Sequence, residues 1–427
     1  MLACWLFPTR ALAQDQIDPS LVSGIERPAR RGSEPARAVA NAMLWPFRLV
    51  VDLIFFATGT AGGLLENEQI VPRARDFFFT RGGELGIFPT VFVETGTTPN
   101  VGIRLIASVE PYAATVRAGY GGPDENVVEA RMRLSSTAGI PAVLSFEGLH
   151  DRRSGLGFLG LGQTPETDPR NQFRNGPAAG AYRERRERLV AGFGVRPFSD
   201  VELLFSSSLT QRYADDPLDV VPTLSQAFFS DSIPGAYRVT RILYSELALR
   251  LDSRTTRSGV ATGMLLQGYA GTGQGMGEPT LFRRAGLEAA AFLPFVRSST
   301  IVAPKIVVDG LLPDAASPVP FSEMPGQPTF RGFANRRDYV SAVASIDYRW
   351  YLMQFLAARL FFDVARVAPS MRELTIDNLR WAAGFGFDLH TSTSELGRIA
   401  VAGSPEGFHF LLTLGVPAGF GDRQHRD

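Results

Sequence analysis

Cysteine is nearly absent from this chain. Its one thiol, Cys4, excludes a disulfide framework and any metal site built from cysteines. Histidine is scarce as well, with His150, His390, His409 and His425 scattered and no H-E-x-x-H spacing to support zinc hydrolysis. No surplus of charge exists, because 43 basic side chains balance 43 acidic ones. A dedicated nucleic-acid binder, which carries a basic stripe or domain, is thereby excluded. Charged residues at 20% and apolar residues at 45% do not describe a disordered chain.

Long apolar runs are also missing. A spanning helix needs about 20 apolar residues, and the most apolar stretch, Ala36–Thr60, is broken by Pro46, Arg48 and Asp52. Arg48 and Asp52 stand i,i+4 and can pair on one helix face. An amphipathic helix over Ala36–Phe56 fits a membrane interface, a protein cavity or an ordinary core. Ahead of it, Leu2–Phe7 and Ala11-Leu12-Ala13 have the form of a secretory h-region and cleavage site, with Gln14 as the new N-terminus. The basic n-region is missing, which fits a start codon assigned too far downstream. Residues 1–13 are therefore expected to be a signal peptide, 14–35 a linker and 36–84 a helical segment.

From about Leu85 the hydrophobic period changes to two. In Leu379–Leu389, Leu379, Trp381, Phe385, Phe387 and Leu389 share one face, and Arg380, Gly384, Gly386 and Asp388 share the other. Val128, Ala130, Met132 and Leu134 oppose Glu129, Arg131 and Arg133 in the same way. So do Leu243, Leu247, Leu249 and Leu251 against Tyr244, Glu246, Arg250 and Asp252. A sandwich core rarely meets charge on every strand, whereas a barrel with lipid outside and a polar interior requires it. Short connections (Pro197–Asp200, Ser253–Ser258, Pro294–Ser298, Trp350–Gln354, His390–Glu395) alternate with long ones (Asp151–Gly180, Tyr213–Tyr237, Leu312–Tyr339, Arg366–Asp377). The fold class expected is all-β: a sixteen-stranded antiparallel transmembrane β-barrel over 85–420, each strand near the 9–11 residues of a tilted span. A short tail, 421–427, follows, and the helical segment 36–84 is expected on the periplasmic side or plugging the lumen.

Enzymatic motifs are lacking. Gly155–Gly160 matches G-x-G-x-x-G, but a loop with Pro165 and Pro169 follows where a dinucleotide site needs a helix. Gly271–Gly277 has no G-K-[ST], and no G-x-S-x-G elbow occurs. No catalytic residue, metal ligand or cofactor is expected.

One constellation stands out. The loop Leu312–Tyr339 carries Phe330-Arg331-Gly332-Phe333, followed by Val340–Trp350 with Asp347 and by Gln354–Val367 with Phe361-Phe362-Asp363. The phase of these strands puts Asp347, Arg349, Arg359, Phe361 and Asp363 on the luminal face, opposite Ile346, Tyr348, Leu360 and Phe362. A guanidinium binds carboxylates through two parallel bonds that lysine cannot reproduce, and Gly332 permits a tight loop tip.

An R-G-F loop, an acid on the next strand and F-x-D on the one after resemble the BamA/TamA superfamily of outer-membrane assembly and translocation barrels. Gly157–Gly162 and the closing segment Gly407–Phe420 also look like the family. The resemblance implies a loop folded into the lumen and held by Arg331 on Asp363 and Asp347. It implies localisation in the outer membrane of a Gram-negative bacterium, and insertion or translocation of proteins through a seam between first and last strands. The partners implied are the lipid bilayer and unfolded outer-membrane or secreted proteins, around a monomeric barrel. Family assembly factors carry periplasmic POTRA domains, and residues 14–84 show a helical pattern instead, as in shorter members. A passive pore or structural barrel remains the alternative.

The purified exported chain is expected to begin at Gln14 or within a few residues of it, as intact-mass measurement would show. A cytosolic product retaining Met1 would overturn the export reading.

Overall fold

A computed structural model describes residues 84–92, 100–136, 139–218, 220–257, 260–295, 297–314, 318–333, 335–353, 356–390 and 395–414, with Phe78 and Thr80. The expected signal peptide, linker and amphipathic helix, and the tail past Leu414, lie outside the described residues.

Alternation of apolar and polar side chains produces strands throughout. They are β1 Leu85–Phe92, β2 Asn100–Val109, β3 Tyr112–Gly122, β4 Glu125–Ser136, β5 Ala142–Phe158 and β6 Gly180–Phe198. Next come β7 Val201–Asp215, β8 Val239–Asp252, β9 Thr255–Arg257, β10 Val260–Gly275, β11 Leu281–Phe295 and β12 Arg297–Pro313. The last are β13 Val340–Met353, β14 Leu356–Ala368, β15 Arg380–His390, β16 Glu395–Ser404 and β17 Gly407–Leu414. They form one 17-stranded sheet in which chain neighbours pair antiparallel. The three residues of β9 pair with Val260–Thr262, while β8 pairs further along the same β10. β9 thus continues the line of β8 past a kink at Ser253 and Arg254, and the meander has sixteen full staves. Among the described residues no register pair joins β1 to β17.

The outer face is apolar. Leu189, Leu209 and Leu243 lie side by side across β6, β7 and β8, and all three are exposed, as are Phe193, Phe205 and Leu247. The inner face holds Glu129, Arg186, Glu246, Asp347, Arg359 and Asp363, all buried. Polar residues inside and large apolar ones outside invert a soluble sandwich and suit a lipid surround. No helix among the described residues is long and apolar enough to cross a membrane.

Several strands outrun the expected 9–11 residues. β5 has 17 and β6 has 19, so the connection expected at Asp151–Gly180 shrinks to 159–179. Ion pairs on both faces carry this hairpin beyond the apolar belt. Arg186 donates to Asp151 at 2.8 Å inside, and Arg183 donates to Asp215 at 2.6 Å outside. The other long connections are 216–238, 314–339 and 369–379, all at the same end as 159–179. The opposite end has short turns, and the expected Ser253–Ser258 turn is largely occupied by β9.

Three of the long loops knit together over their end of the barrel. Phe158 of β5, Phe228 of loop 216–238 and Phe321 of loop 314–339 share one buried cluster with Tyr182, Leu224 and Met324. Phe321 meets Phe158 and Tyr182 edge-on at 5.0 and 5.3 Å, a favoured aromatic geometry. Arg170 of loop 159–179 donates to both oxygens of Asp338, at 2.8 and 2.7 Å. The Gly162 N–H donates to the Arg337 carbonyl at 3.0 Å. Gly162 has a φ of +92°, which favours glycine.

A charge on the lipid-facing surface should be most costly at mid-depth. Leu247→Arg, in the middle of β8, is expected to cost about 2–4 kcal/mol, and Leu251→Arg near the short turn about 0–1 kcal/mol. Urea titration of vesicle-folded protein, read by gel mobility before and after boiling, would measure both. Equal costs would show that this face does not lie in a bilayer.

Candidate functional site

Loop 314–339 leaves β12, turns toward the barrel interior and presents Phe330–Phe333 to the inner face of β13–β17. The anchor is electrostatic. The Arg331 main-chain N–H and Nε both donate to Asp363 Oδ2, at 3.0 and 2.8 Å, while Nη2 donates to Oδ1. Nη1 donates to Asp347 Oδ1 at 2.6 Å. The guanidinium also lies over the Phe361 ring, 3.9 Å from its centre, adding a cation–π attraction. Asp363 is fully buried, at 0% exposure. Burial alone would lower the basicity of Arg331, but the Asp363 and Asp347 carboxylates hold it above the ordinary arginine value. The cation is fixed at any working pH.

Asp347 does not serve Arg331 alone. Its Oδ2 accepts from Arg359 Nη1 at 3.1 Å and from Arg349 Nη2 at 3.4 Å. Arg349 and Arg359 stand directly opposite in the β13–β14 register, an arrangement that repels unless an anion lies between. Arg359 continues to Asp388, which accepts from its Nε at 2.9 Å, and Asp388 accepts from Arg398 Nε at 3.0 Å. Charges of alternating sign thus run from the loop tip across β13, β14 and β15 to β16.

The neighbours of Arg331 fill the space left by small residues. Phe330 is 3% exposed and packs with Val343, Ala365 and Ala382. Arg380 lies over its ring at 5.2 Å. A Cβ on Gly332 would come within 2.6 Å of the Phe330 ring and 3.2 Å of Ala382 Cβ. Close approach, and not the expected tight turn, is what needs glycine here, since Gly332 is not among the left-handed glycines. Phe361 packs with Ala400 and Ala402 of β16, and a side chain on Gly384 would strike its ring.

The seven residues singled out in the sequence therefore share one neighbourhood, with Phe333 at its edge. Sequence reading missed Asp388 and Arg398 as members of the ladder. Their inward phase on β15 and β16, where they face each other, was the available signal. It also missed His409 of β17, whose Nδ1 lies 3.3 Å from the Arg331 carbonyl oxygen and 3.1 Å from that of Gly332.

No protein-family model matches the sequence, and no curated protein sequence matches it. Solved structures do match. BamA from Haemophilus ducreyi lacking POTRA domains 1–3 has a TM-score of 0.54 at 9% identity, over 77% of this chain and 69% of that one. The fold is that of a BamA-type barrel. CdiB from Acinetobacter baumannii has a TM-score of 0.47 at 9% identity, over 78% of this chain and 60% of that one. The Pseudomonas putida toluene transporter TodX has a TM-score of 0.30 at 13% identity. In this BamA-type barrel the loop tip leans on strands near the C-terminal edge of the sheet.

Removing one partner from a buried charge pair costs about 3–5 kcal/mol. Arg331→Ala is expected to expose 314–339 to protease, and Arg331→Lys to restore little, since an ammonium cannot span two carboxylates. Limited proteolysis of the three folded proteins is the measurement. Wild-type protection in Arg331→Ala would show that the arginine anchors nothing.

Proposed function

We propose that this protein is an outer-membrane barrel that inserts or translocates proteins, by parting a seam between β1 and β17. The observation that carries the reading is the position of the loop tip. Loop 314–339 grips β13 and β14 through Arg331 and touches the last strand, β17, at His409. A loop so placed can hold the last strand in line or release it. The likeness to a BamA-type barrel supports the same reading at the level of fold. At the other edge, Pro89 of β1 has no N–H to give a partner strand. The clients would be unfolded outer-membrane or secreted chains, which gain backbone hydrogen bonds by pairing with an opened edge. The signal peptide expected over 1–13 and the apolar outer face agree with an outer-membrane location for a monomeric barrel.

A cavity favours a second reading, the passive pore. About 490 Å³ of space lies beneath Ser322–Thr329 of the loop, lined by Arg212, Arg284, Glu288 and Gln327 among others. Solute could pass through such an interior without any parting of strands.

Cross-linking separates the two readings. Cysteine pairs placed between Leu85–Phe92 and Gly407–Leu414 can bridge where Cα atoms approach within about 7 Å, and a small grid of pairs finds the register. Oxidised pairs should abolish client insertion into liposomes, and reduction should restore it. A pore would conduct equally in both states. Full insertion by a completely oxidised variant would discard the seam.

A further inference from the structure

We propose that His409 is a positioning residue that latches the closing strand to the loop tip, so that β17 leaves the sheet only when this latch breaks. This rests on the seam reading and assigns the side chain that regulates it. His409 sits on the inner face of β17, between Phe408 and Phe410, which are exposed on the outer face. Its Nδ1 faces two acceptors, the carbonyl oxygens of Arg331 at 3.3 Å and Gly332 at 3.1 Å. Two oxygens around one ring nitrogen require that nitrogen to carry the hydrogen, so the imidazole donates. The ring is meanwhile stacked on Phe333, with centroids 5.2 Å apart and planes 15° from parallel. An added Cβ on Gly407 would lie 3.8 Å from the Phe333 ring. The last strand is thus held from inside by a donor and by a ring, both directed at the R-G-F turn.

The other end of the same turn is fixed three strands away. Arg331 is bound to Asp363 on β14, and neighbouring strands lie about 4.8 Å apart. Strands β14 and β17 thus lie roughly 14 Å apart along the sheet, and side chains of both reach the backbone of the one residue Arg331. Small residues on the inner faces of β15 and β16, among them Ala382, Gly384, Ala400 and Ala402, leave room for the tip to cross. β17 pairs with β16 from Gly407 to Leu414, so a peeling edge must break that ladder and the latch together.

Two variants divide the donor from the ring. His409→Phe keeps a ring for Phe333 to stack on and removes the donor. His409→Asn puts an amide N–H near the position of Nδ1 and removes the ring. Hydrogen exchange of the full chain in vesicles, followed on amides 407–414, reads the latch without any client. His409→Phe should speed exchange there by roughly three- to tenfold, the range one net hydrogen bond supplies, and leave β13 and β14 unchanged. His409→Asn should recover most of the protection, which a merely space-filling histidine would not allow. Unchanged exchange in His409→Phe, or equal loosening in both variants, would overturn the latch. Gel mobility before and after boiling confirms that each variant is folded, and Phe333→Leu serves as a second variant if either is not. Exchange tests the latch alone, whereas seam cross-linking tests the function, so either can fail without the other.

Discussion

A guanidinium inside a barrel wall is tolerable only where carboxylates meet it, and around Arg331 two do. That requirement organises everything from β13 to β16. Asp363 is fully buried and would be badly destabilised without a cation. Asp347 holds apart two arginines that the strand register places face to face. Once Asp347 is shared, Arg359 has capacity left for Asp388, and Asp388 for Arg398. The loop is therefore the end of a charge ladder that belongs to the strands. A charge-assisted bond is about twice as strong as a neutral one, and the ladder gives the loop tip one register to settle in.

Large apolar residues outside leave the interior to small and polar ones, and this decides where the loop can go. Across β15 and β16 the inward positions include Ala382, Gly384, Gly386, Ala400 and Ala402. Their lack of bulk makes a shallow bay in which Phe330 and Phe361 pack. Along β6–β8 the inward positions include the longer Arg188, Arg212 and Tyr244, and there the loop stands off and leaves a cavity of about 490 Å³. The loop tip docks toward the C-terminal edge because small inward side chains and matching charge coincide there.

Much of this was legible in the sequence, for a definite reason. Period-two alternation fixes which residues share a face, and phase alone put Asp347 and Asp363 inside and Phe362 outside. Strand ends were less legible. Asp151 and Arg153 look like loop residues in a linear reading, yet β5 continues through them because Arg186 on β6 completes the inner charge. His409 was invisible as a contact, since its partners are main-chain carbonyls and an aromatic ring, and neither leaves a mark in composition or spacing. The clamp between Arg170 and Asp338 was hidden similarly, by two loops far apart in sequence that meet only in three dimensions.

The two ends of the loop tip are unequal, and this asymmetry gives the brace a direction. On the β13–β14 side a buried cation meets two carboxylates, an attachment whose loss is worth about 3–5 kcal/mol. On the β17 side a single imidazole N–H meets two carbonyls, worth about 0.5–1.5 kcal/mol. Strain applied across the tip therefore breaks at His409 first, while Arg331 stays seated. Above the tip the same loop is tied to its neighbours by Phe321 and by Asp338 with Arg170, so it does not swing out as a whole. What yields is the last strand against a fixed tip. The seam we propose between β1 and β17 requires that order of failure.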